Sequence, residues 1–363
     1  MATEVVGTNH ELTLKQWSEG LEAEVLKKIT VTWGMGKRSD SLFQIKDELE
    51  SSPGDVITVG LRMQSTKAPV TSGTPLEGAE QVQSYYYDKF TIDEFADAFR
   101  FNNIMTPQRV TFDHRDEAKA ALADQLANAL DTSLFNQIAG VADPTVGGPF
   151  PTFQGHNVIT APDANHWLIA GTPVTEATLT ATDLFTLNMV SEAKHKAKLL
   201  TPAIRPARIP GFSKPLYVMF IHPNQAFNLK NNDPRWDAIQ HSVLQGGKIE
   251  SNPFFTGALG VFDETLLVES SRVPKSTVTG VGGVAVRRAI FCGAQAAFIG
   301  WGRLGGNPER LRWVEKFFDF DREFAIMGGF VCGVKKAVFK EDNAGAGVFD
   351  FATIVVSTAS PLG

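Results

Sequence analysis

The sequence is poor in the residues that most catalytic and metal-binding sites need. Cysteine occurs twice in 363 residues, at Cys292 and Cys332. That is too few for a disulfide framework, and two free thiols fit a reducing compartment. Seven histidines, at positions 10, 114, 156, 166, 195, 222 and 241, form no HxxxH pair, and the cysteines form no CxxC, so no metal motif is present. No serine sits in a GxSxG elbow, and neither cysteine lies in a nucleophile motif. Basic residues do not dominate, since 34 Lys and Arg face 40 Asp and Glu for a net charge of -6, which excludes a strongly basic nucleic-acid binder. No apolar run reaches the length of about 18 residues that a membrane span needs. The first residues show no basic stretch followed by an apolar run, so no secretory signal is expected.

What is present suits a large folded protein. With 43% hydrophobic and 20% charged residues, the balance is that of an ordered chain. At 39.5 kDa, surface scaling predicts burial of roughly three quarters of the unfolded surface. Disulfide staples are unnecessary at that size. The length predicts about two domains, or one large domain with insertions.

Periodicity supplies the elements. Leu12, Trp17, Leu21, Val25 and Ile29 recur at near-helical spacing and predict an amphipathic helix over Glu11 to Lys28, followed by a hinge from Trp33 to Ser39. Ile57, Val59, Leu61 and Met63 alternate, as do Tyr86, Asp88, Phe90 and Ile92, and predict two strands of one long hairpin. The connection, Gln64 to Gln83, holds Pro69, Gly73 and Pro75 with little to bury, so it reads as a projecting arm. Ala118, Leu122, Leu126, Leu130, Leu134 and Ile138 recur every four residues, and with Gly140 as a stop they predict a helix of about 40 Å over Asp113 to Ala139. A second helix is expected from Asp183 to Leu200, with Thr182 as N-cap and Pro202 as terminator. Strands are expected at Leu216 to His222, an alternating stretch over Glu315 to Phe324, and Phe330 to Phe339, with short helices at Asn224 to Leu229 and Asp233 to Leu244 and further apolar segments at Thr265 to Glu269 and Ala289 to Ile299. The class is α+β.

Three clusters invite chemistry. Gly300, Gly302 and Gly305 in GWGRLG follow an apolar run and resemble a dinucleotide turn, against the ordinary reading of a tight turn. Asp319, Asp321 and Glu323 share period-two spacing, as paired carboxylates would and as any wet strand face does. Lys194, Lys196, Lys198, Arg205, Arg208 and Lys214 concentrate positive charge, for phosphate or acidic partners or as a solvated face.

An arm, a projecting hairpin, a long spine helix and a late β-rich return make a pattern without a catalytic centre. Six segments carry a resemblance: Thr13 to Lys28, Phe43 to Met63, Leu76 to Arg100, Met105 to Leu122, Phe220 to Trp236 (FIHPNQAFNLKNNDPRW) and Phe291 to Gly302 (FCGAQAAFIGWG). In their order and spacing the chain resembles the major capsid proteins of tailed bacteriophages, with the Hong Kong 97-like fold, and within them the enquatrovirus-like family.

The resemblance implies an N-terminal arm over 1–42 and an E-loop over 43–95. It implies a P-domain over 96–204 and 307–335 built on the spine helix, and an A-domain over 205–306 and 336–363. It implies no enzyme and no cofactor, but a shell of pentamers and hexamers around double-stranded DNA held by weak non-specific contacts. An encapsulin-like cargo shell and a nucleotide-binding oxidoreductase are the alternatives. Expected partners are the chain itself, a portal, a decoration or cement protein and, since the arm helix starts at once, a separate scaffolding protein, with assembly in the bacterial host cytoplasm. The E-loop candidates for assembly are Lys67, Pro69, Glu77 and Glu80, and Lys67 is the weak candidate for a covalent crosslink. The hinge candidates are Gly34, Gly36, Gly73 and Gly78. Lys194, Lys196, Lys198, Arg205 and Arg208 are the candidates for lumen or scaffold contact.

Overall fold

The computed structural model describes residues 31–62, 68–73, 75–78, 80, 85–101, 114–143, 157–171, 175–236, 260–303, 310–320, 322–341 and 348–361. The expected arm helix, Lys67, Gly305, Asp321 and the stretch expected as helix beyond Trp236 lie outside the described residues.

The first sheet is organised by one long strand. Strands β1 (Met35–Gly36), β2 (Phe43–Asp47), β11 (Ala297–Gly302), β13 (Glu323–Lys336) and β12 (Leu311–Phe318) follow in that order, and β5 (Asp93–Phe101) also pairs with β13. Because Cys332 pairs with both Trp301 and Asp93, and Phe330 with both Leu311 and Phe95, β5 lines one edge of β13 while β11 and β12 share the other. The distal part is therefore a three-stranded blade, with Phe101 stacked on Phe324 at 4.8 Å and Phe95 on Phe330 at 5.0 Å.

The second sheet runs β6 (Trp167–Ile169), β16 (Thr353–Ala359), β10 (Val286–Cys292), β7 (Tyr217–Ile221), β9 (Thr265–Glu269) and β8 (Gly260–Phe262). Strands β7 and β16 are buried at every residue, as strands covered on both faces must be. The third sheet holds the hairpin: β3 (Val56–Arg62) pairs antiparallel with β4 (Tyr85–Thr91) from Val56 opposite Thr91 to Arg62 opposite Tyr85, and β14 (Val338–Glu341) and β15 (Val348–Asp350) extend it. The expected hairpin is present in the expected pairing.

Helix α1 (His114–Ala139) lies across β13, β10, β5 and β11 and joins the first two sheets. Its four-residue stripe from Ala118 to Ile138 is buried, and Phe135 meets Phe220 of β7 edge-on at 5.3 Å. Asp116 and Glu117 in the first turn face the positive end of its dipole. It stops at Gly140, whose φ of 64° is left-handed and where a Cβ would come within 2.6 Å of the Thr160 carbonyl.

Helix α2 (Leu187–Leu199) begins four residues later than the sequence predicts. Asp183 is occupied in a turn, accepting from the Thr180 amide and hydroxyl at 2.7 Å each, and the helix is capped from afar by Asp233, which accepts from the Leu187 amide at 2.8 Å. The alternating stretch expected over Glu315 to Phe324 is not one strand. The chain reverses at Asp319 and Phe320, both left-handed with φ of 49° and 53°, so that Phe318 faces Glu323. The strand expected over Phe330 to Phe339 is the end of β13 and the start of β14, parted at Ala337.

Helix α3 (Pro223–Asn232) carries a capping box made by a histidine. His222 Nδ1 accepts from the Asn224 amide at 3.2 Å, and Gln225 Oε1 accepts from the His222 amide at 3.0 Å. Burial, with Arg287 nearby, holds the His222 pKa down from 6.5 to about 4, so it is the neutral, accepting ring that folds. A depressed histidine contributes its full stabilisation above pH 6.5 and loses it as pH falls toward 4. His222→Asn keeps an acceptor without titrating, and its urea midpoint is expected to change less than that of the parent between pH 7 and 5. Equal slopes in the two proteins would show that the cap does not carry the effect.

Candidate assembly surfaces

The root of the β3–β4 hairpin is fixed to the first sheet over a saddle of glycines. Gly300 of β11 and Gly333 of β13 are cross-strand partners. A Cβ on Gly300 would reach the Phe90 ring at 2.6 Å and Ile57 at 2.7 Å, and one on Gly302 would reach Ile92 at 2.6 Å and Val331 at 2.7 Å. A Cβ on Gly333 would strike the backbone of Thr91 and Ile92. Gly300 and Gly302 thus lie inside a strand that the hairpin crosses, with no void for a pyrophosphate. Strand β11 pairs antiparallel with β13, and side chains of the hairpin lie where a phosphate would have to approach, which removes both the dinucleotide reading and the tight-turn reading at these two residues.

Two polar rivets hold the crossing. Asn157 Oδ1 accepts from the Thr91 amide at 2.8 Å and hydroxyl at 3.1 Å, while its Nδ2 donates to the carbonyls of Thr91 at 2.9 Å and Val334 at 3.1 Å. Asp88 of β4 pairs with Lys335 of β13 and accepts from the Val338 amide at 3.2 Å. Burial raises the Asp88 pKa although Lys335 opposes it. Beyond the crossing the hairpin leaves the body. Pro69, Glu77 and Glu80 are exposed, as are Gly73 and Gly78, neither of which would meet anything within 4 Å if given a Cβ.

The other two hinge candidates are packed. Gly34 is buried, with Leu42 at 3.0 Å from where its Cβ would sit, and Gly36 belongs to β1 in a parallel pairing with β2. Strand β2, expected at the start of the E-loop, pairs with β11, and β11 shares its sheet with β12 and β13. The two main sheets therefore part at residues 293–296, between β10 and β11.

The basic cluster divides in two. On α2, Lys194 pairs with Asp263 at 2.5 Å and Glu264 at 3.0 Å, and Lys198 with Glu264 at 3.0 Å, so two cations meet two anions. These lysines hold the Glu264 pKa below the usual carboxylate range. Lys196 donates to the Trp167 carbonyl at 3.0 Å. Arg205 and Arg208 line a separate cleft of about 460 Å³ with Ser39, Asp40 and Ser213, where Arg205 donates to Gln295 at 2.9 Å. Of the three carboxylates, Glu323 pairs with Arg100 and Asp319 with Arg322 at 3.6 Å, on opposite sides of the turn. Among the described residues no group of His, Cys, Asp and Glu is arranged to hold a metal, and no helix is long and apolar enough to cross a membrane.

Sequence reasoning missed Asn157, which lies in a stretch with no periodicity, and the ion pair of Glu176 with Arg288, whose partners are 112 residues apart. Only a contact map finds such pairs.

The comparisons agree with this architecture. A family model described as phage capsid protein matches residues 5–362. The major capsid protein of Pseudomonas phage KPP25 is 27% identical over 377 residues, covering 97% of this chain and 96% of that one. The capsid of Ralstonia phage GP4 superposes with a TM-score of 0.77 at 26% identity over 99% of this chain and 98% of that one. The capsid subunit of cyanophage Pam1 does so with 0.72 at 18% identity over 93% of each. With a hairpin standing off a glycine saddle, a three-stranded blade and a spine helix all in one matching frame, the chain belongs to the phage capsid protein family and is a major capsid protein of the Hong Kong 97-like fold.

Proposed function

We propose that copies of this chain assemble into pentamers and hexamers and so into an icosahedral shell around the double-stranded DNA of a tailed phage. The observation that carries this is the hairpin: its root is locked by Asn157, Asp88 and the glycine saddle, while the described residues of its connecting loop, between 68 and 80, are exposed apart from half-buried Val70. A precisely held projection that buries little within its own subunit is a contact element for a neighbour. Head-to-tail contacts of that kind close into rings, and rings of five and six close a shell.

In this reading residues 1–42 are the N-terminal arm and 43–95 the E-loop. The P-domain takes 96–204 and 307–335 and the A-domain 205–306 and 336–363, with the strand exchange at 293–296 joining them. Pro69, Glu77 and Glu80, with Lys67, make the E-loop contact. Gly73 and Gly78 give the loop its freedom, while Gly34 and Gly36 bend the arm. Arg205 and Arg208 serve a scaffold or the packaged DNA better than Lys194, Lys196 and Lys198, whose charges are already used within the subunit. Contact with DNA is weak and non-specific, in keeping with a net charge of -6. A separate scaffolding protein, a portal and a decoration protein are the further partners, assembly takes place in the host cytoplasm, and the chain catalyses nothing.

Deleting Lys67 to Glu80 tests the reading. The subunit is expected to stay soluble and folded, with an unchanged circular dichroism spectrum, and to form no closed shells by sedimentation and negative-stain microscopy. Normal shells from the deletion would refute the E-loop contact.

A further inference from the structure

The stretch from Ile204 to Arg208 is pinned through its backbone. Tyr217 donates its hydroxyl to the Ile204 carbonyl at 2.9 Å, and the Ala294 amide donates to the Arg205 carbonyl at 2.8 Å. Ala207 exchanges two bonds with Leu216 at 2.9 Å each, and the Arg208 amide donates to the Asp40 carbonyl at 2.8 Å. Two arginines are thus fixed at their roots, yet both are exposed and neither forms an ion pair with a carboxylate of the described residues.

Arg205 is also held at its tip. Its Nη2 donates to Gln295 Oε1 at 2.9 Å, Gln295 Nε2 donates to Gln44 Oε1 at 2.8 Å, and Gln44 Nε2 donates to the Lys37 carbonyl at 3.3 Å. Gln295 takes this place under strain, because its φ of 63° is left-handed in the turn between β10 and β11, where glycine or asparagine would be relaxed. A glycine would make the turn and hold no arginine.

Both guanidinium groups line one cleft of about 460 Å³ with Ser39, Asp40, Ser213 and Ala294, within the range of about 300–1,000 Å³ usual for small-ligand sites. Asp40 is the one carboxylate in this lining, and Arg38 Nε donates to it at 3.1 Å. Positive charge therefore prevails here in a chain of net charge -6. Ser39 and Asp40 lead into β2 of the first sheet, Ser213 leads into β7 of the second, and Ala294 lies where the two sheets part.

We infer that this cleft is a phosphate site, in which Arg205 and Arg208 grip the oxygens of one phosphate group, free or carried by a nucleic acid, and Ser39 and Ser213 add their hydroxyls. The inference deepens the capsid reading, which gives these arginines to a scaffold or to DNA. Guanidinium forks match phosphate oxygens in pairs, and two of them balance a phosphate's two charges, whereas a carboxylate occupies one. Arginines fixed beforehand lose little freedom on binding. A bound phosphate ties the entry of the first sheet to that of the second.

Calorimetric titration of inorganic phosphate into the unassembled full-length chain, with chloride keeping ionic strength constant, tests this. Saturable binding is expected, weakened at least about tenfold in Arg208→Gln, the effect of losing a charged hydrogen-bond partner. Gln295→Gly relaxes the turn and frees Arg205, so its melting temperature is expected to hold while its phosphate affinity falls. No saturable binding, or equal binding by the three proteins, would overturn the site. A short single-stranded oligodeoxynucleotide separates the sources. Displacement of the bound oligonucleotide by phosphate in the parent, with weaker binding in Arg208→Gln, assigns the phosphate to nucleic acid. Oligonucleotide binding that Arg208→Gln leaves unchanged, beside weakened binding of inorganic phosphate, assigns it to the free ion. An aspartate-rich peptide that binds where inorganic phosphate does not would overturn the inference in favour of an acidic protein. Failure of the parent chain to form shells would remove the capsid reading and not the site, which is measured on the subunit.

Discussion

Arg288→Met is expected to cost the subunit about 3–5 kcal/mol, because it strands a buried carboxylate. Glu176 and Arg288 are 3% and 6% exposed and pair through two bonds, Nε to Oε1 at 2.8 Å and Nη2 to Oε2 at 2.9 Å. Both groups make further bonds. Glu176 also accepts from the hydroxyls of Ser276 at 2.5 Å and Ser357 at 2.6 Å, while Arg288 Nη1 donates to the carbonyls of Ala139 and Gly140 at 3.2 and 3.1 Å. The guanidinium lies 5.1 Å from the Trp167 ring centre. One pair thus ties β10, β16 and the turn at Glu176 to the C-terminal end of α1, where a cation also meets the negative end of the dipole.

The pH dependence separates this account from simple loss of packing. In the parent, burial works to raise the Glu176 carboxyl, but the Arg288 bonds and charge and the two serines outweigh it and hold the pKa below the usual carboxylate value of 4.5. Its stabilisation is present above the unfolded pKa and lost as pH falls through the folded one. Without the arginine only burial and the serines remain, so the folded pKa rises and the sign reverses: the variant gains relative to the parent in acid. Guanidinium unfolding of the two proteins at pH 7 and pH 4 is expected to show a difference that shrinks at pH 4. A loss under about 1 kcal/mol at pH 7, or one unaffected by acid, would mean that the pair is solvated and carries little.

Much of this architecture is legible in the sequence where local periodicity sets structure. The stripe from Ala118 to Ile138 fixes α1 nearly to its last residue, and alternation at Ile57, Val59 and Phe90 fixes the hairpin and its facing residues. Legibility ends where a side chain answers to a distant partner. Helix α2 starts at Leu187 because Asp233 supplies its cap, and no propensity at Asp183 reports that. Alternation over Glu315 to Phe324 continues unbroken through a chain reversal, since Phe318 and Phe320 keep the period while Asp319 and Phe320 turn left-handed. GWGRLG carries the same ambiguity. Glycine marks a place where something approaches the backbone closely, and the sequence does not say whether that is a phosphate or, as here, Phe90 and Ile92. The basic run from Lys194 to Arg208 looks continuous but divides once Asp263 and Glu264 come to face α2.

Gly333→Val is the second large effect, and it acts where the subunit aims its hairpin. Its Cβ would fall on the Thr91 carbonyl and within 3.1 Å of Ile92 Cα, which are backbone atoms and cannot rotate away as the Phe90 and Ile57 side chains over Gly300 can. Overpacking alone costs about 1–3 kcal/mol. Lifting Thr91 also parts it from Asn157, a 9% exposed side chain with three of its four bonds to that residue, and unmet buried polar groups cost about 1–3 kcal/mol more. The variant is therefore expected to lose at least about 3 kcal/mol by urea unfolding. Gly73→Ala, with nothing within 4 Å of its Cβ and no left-handed φ, is expected to stay within about 0.5 kcal/mol. Assembly should suffer beyond what stability explains. A tilt at Thr91 is multiplied along β3 and β4, so even folded Gly333→Val subunits present the projecting loop away from its neighbour. Closed shells from Gly333→Val in normal yield would show that the glycine saddle does not aim the hairpin.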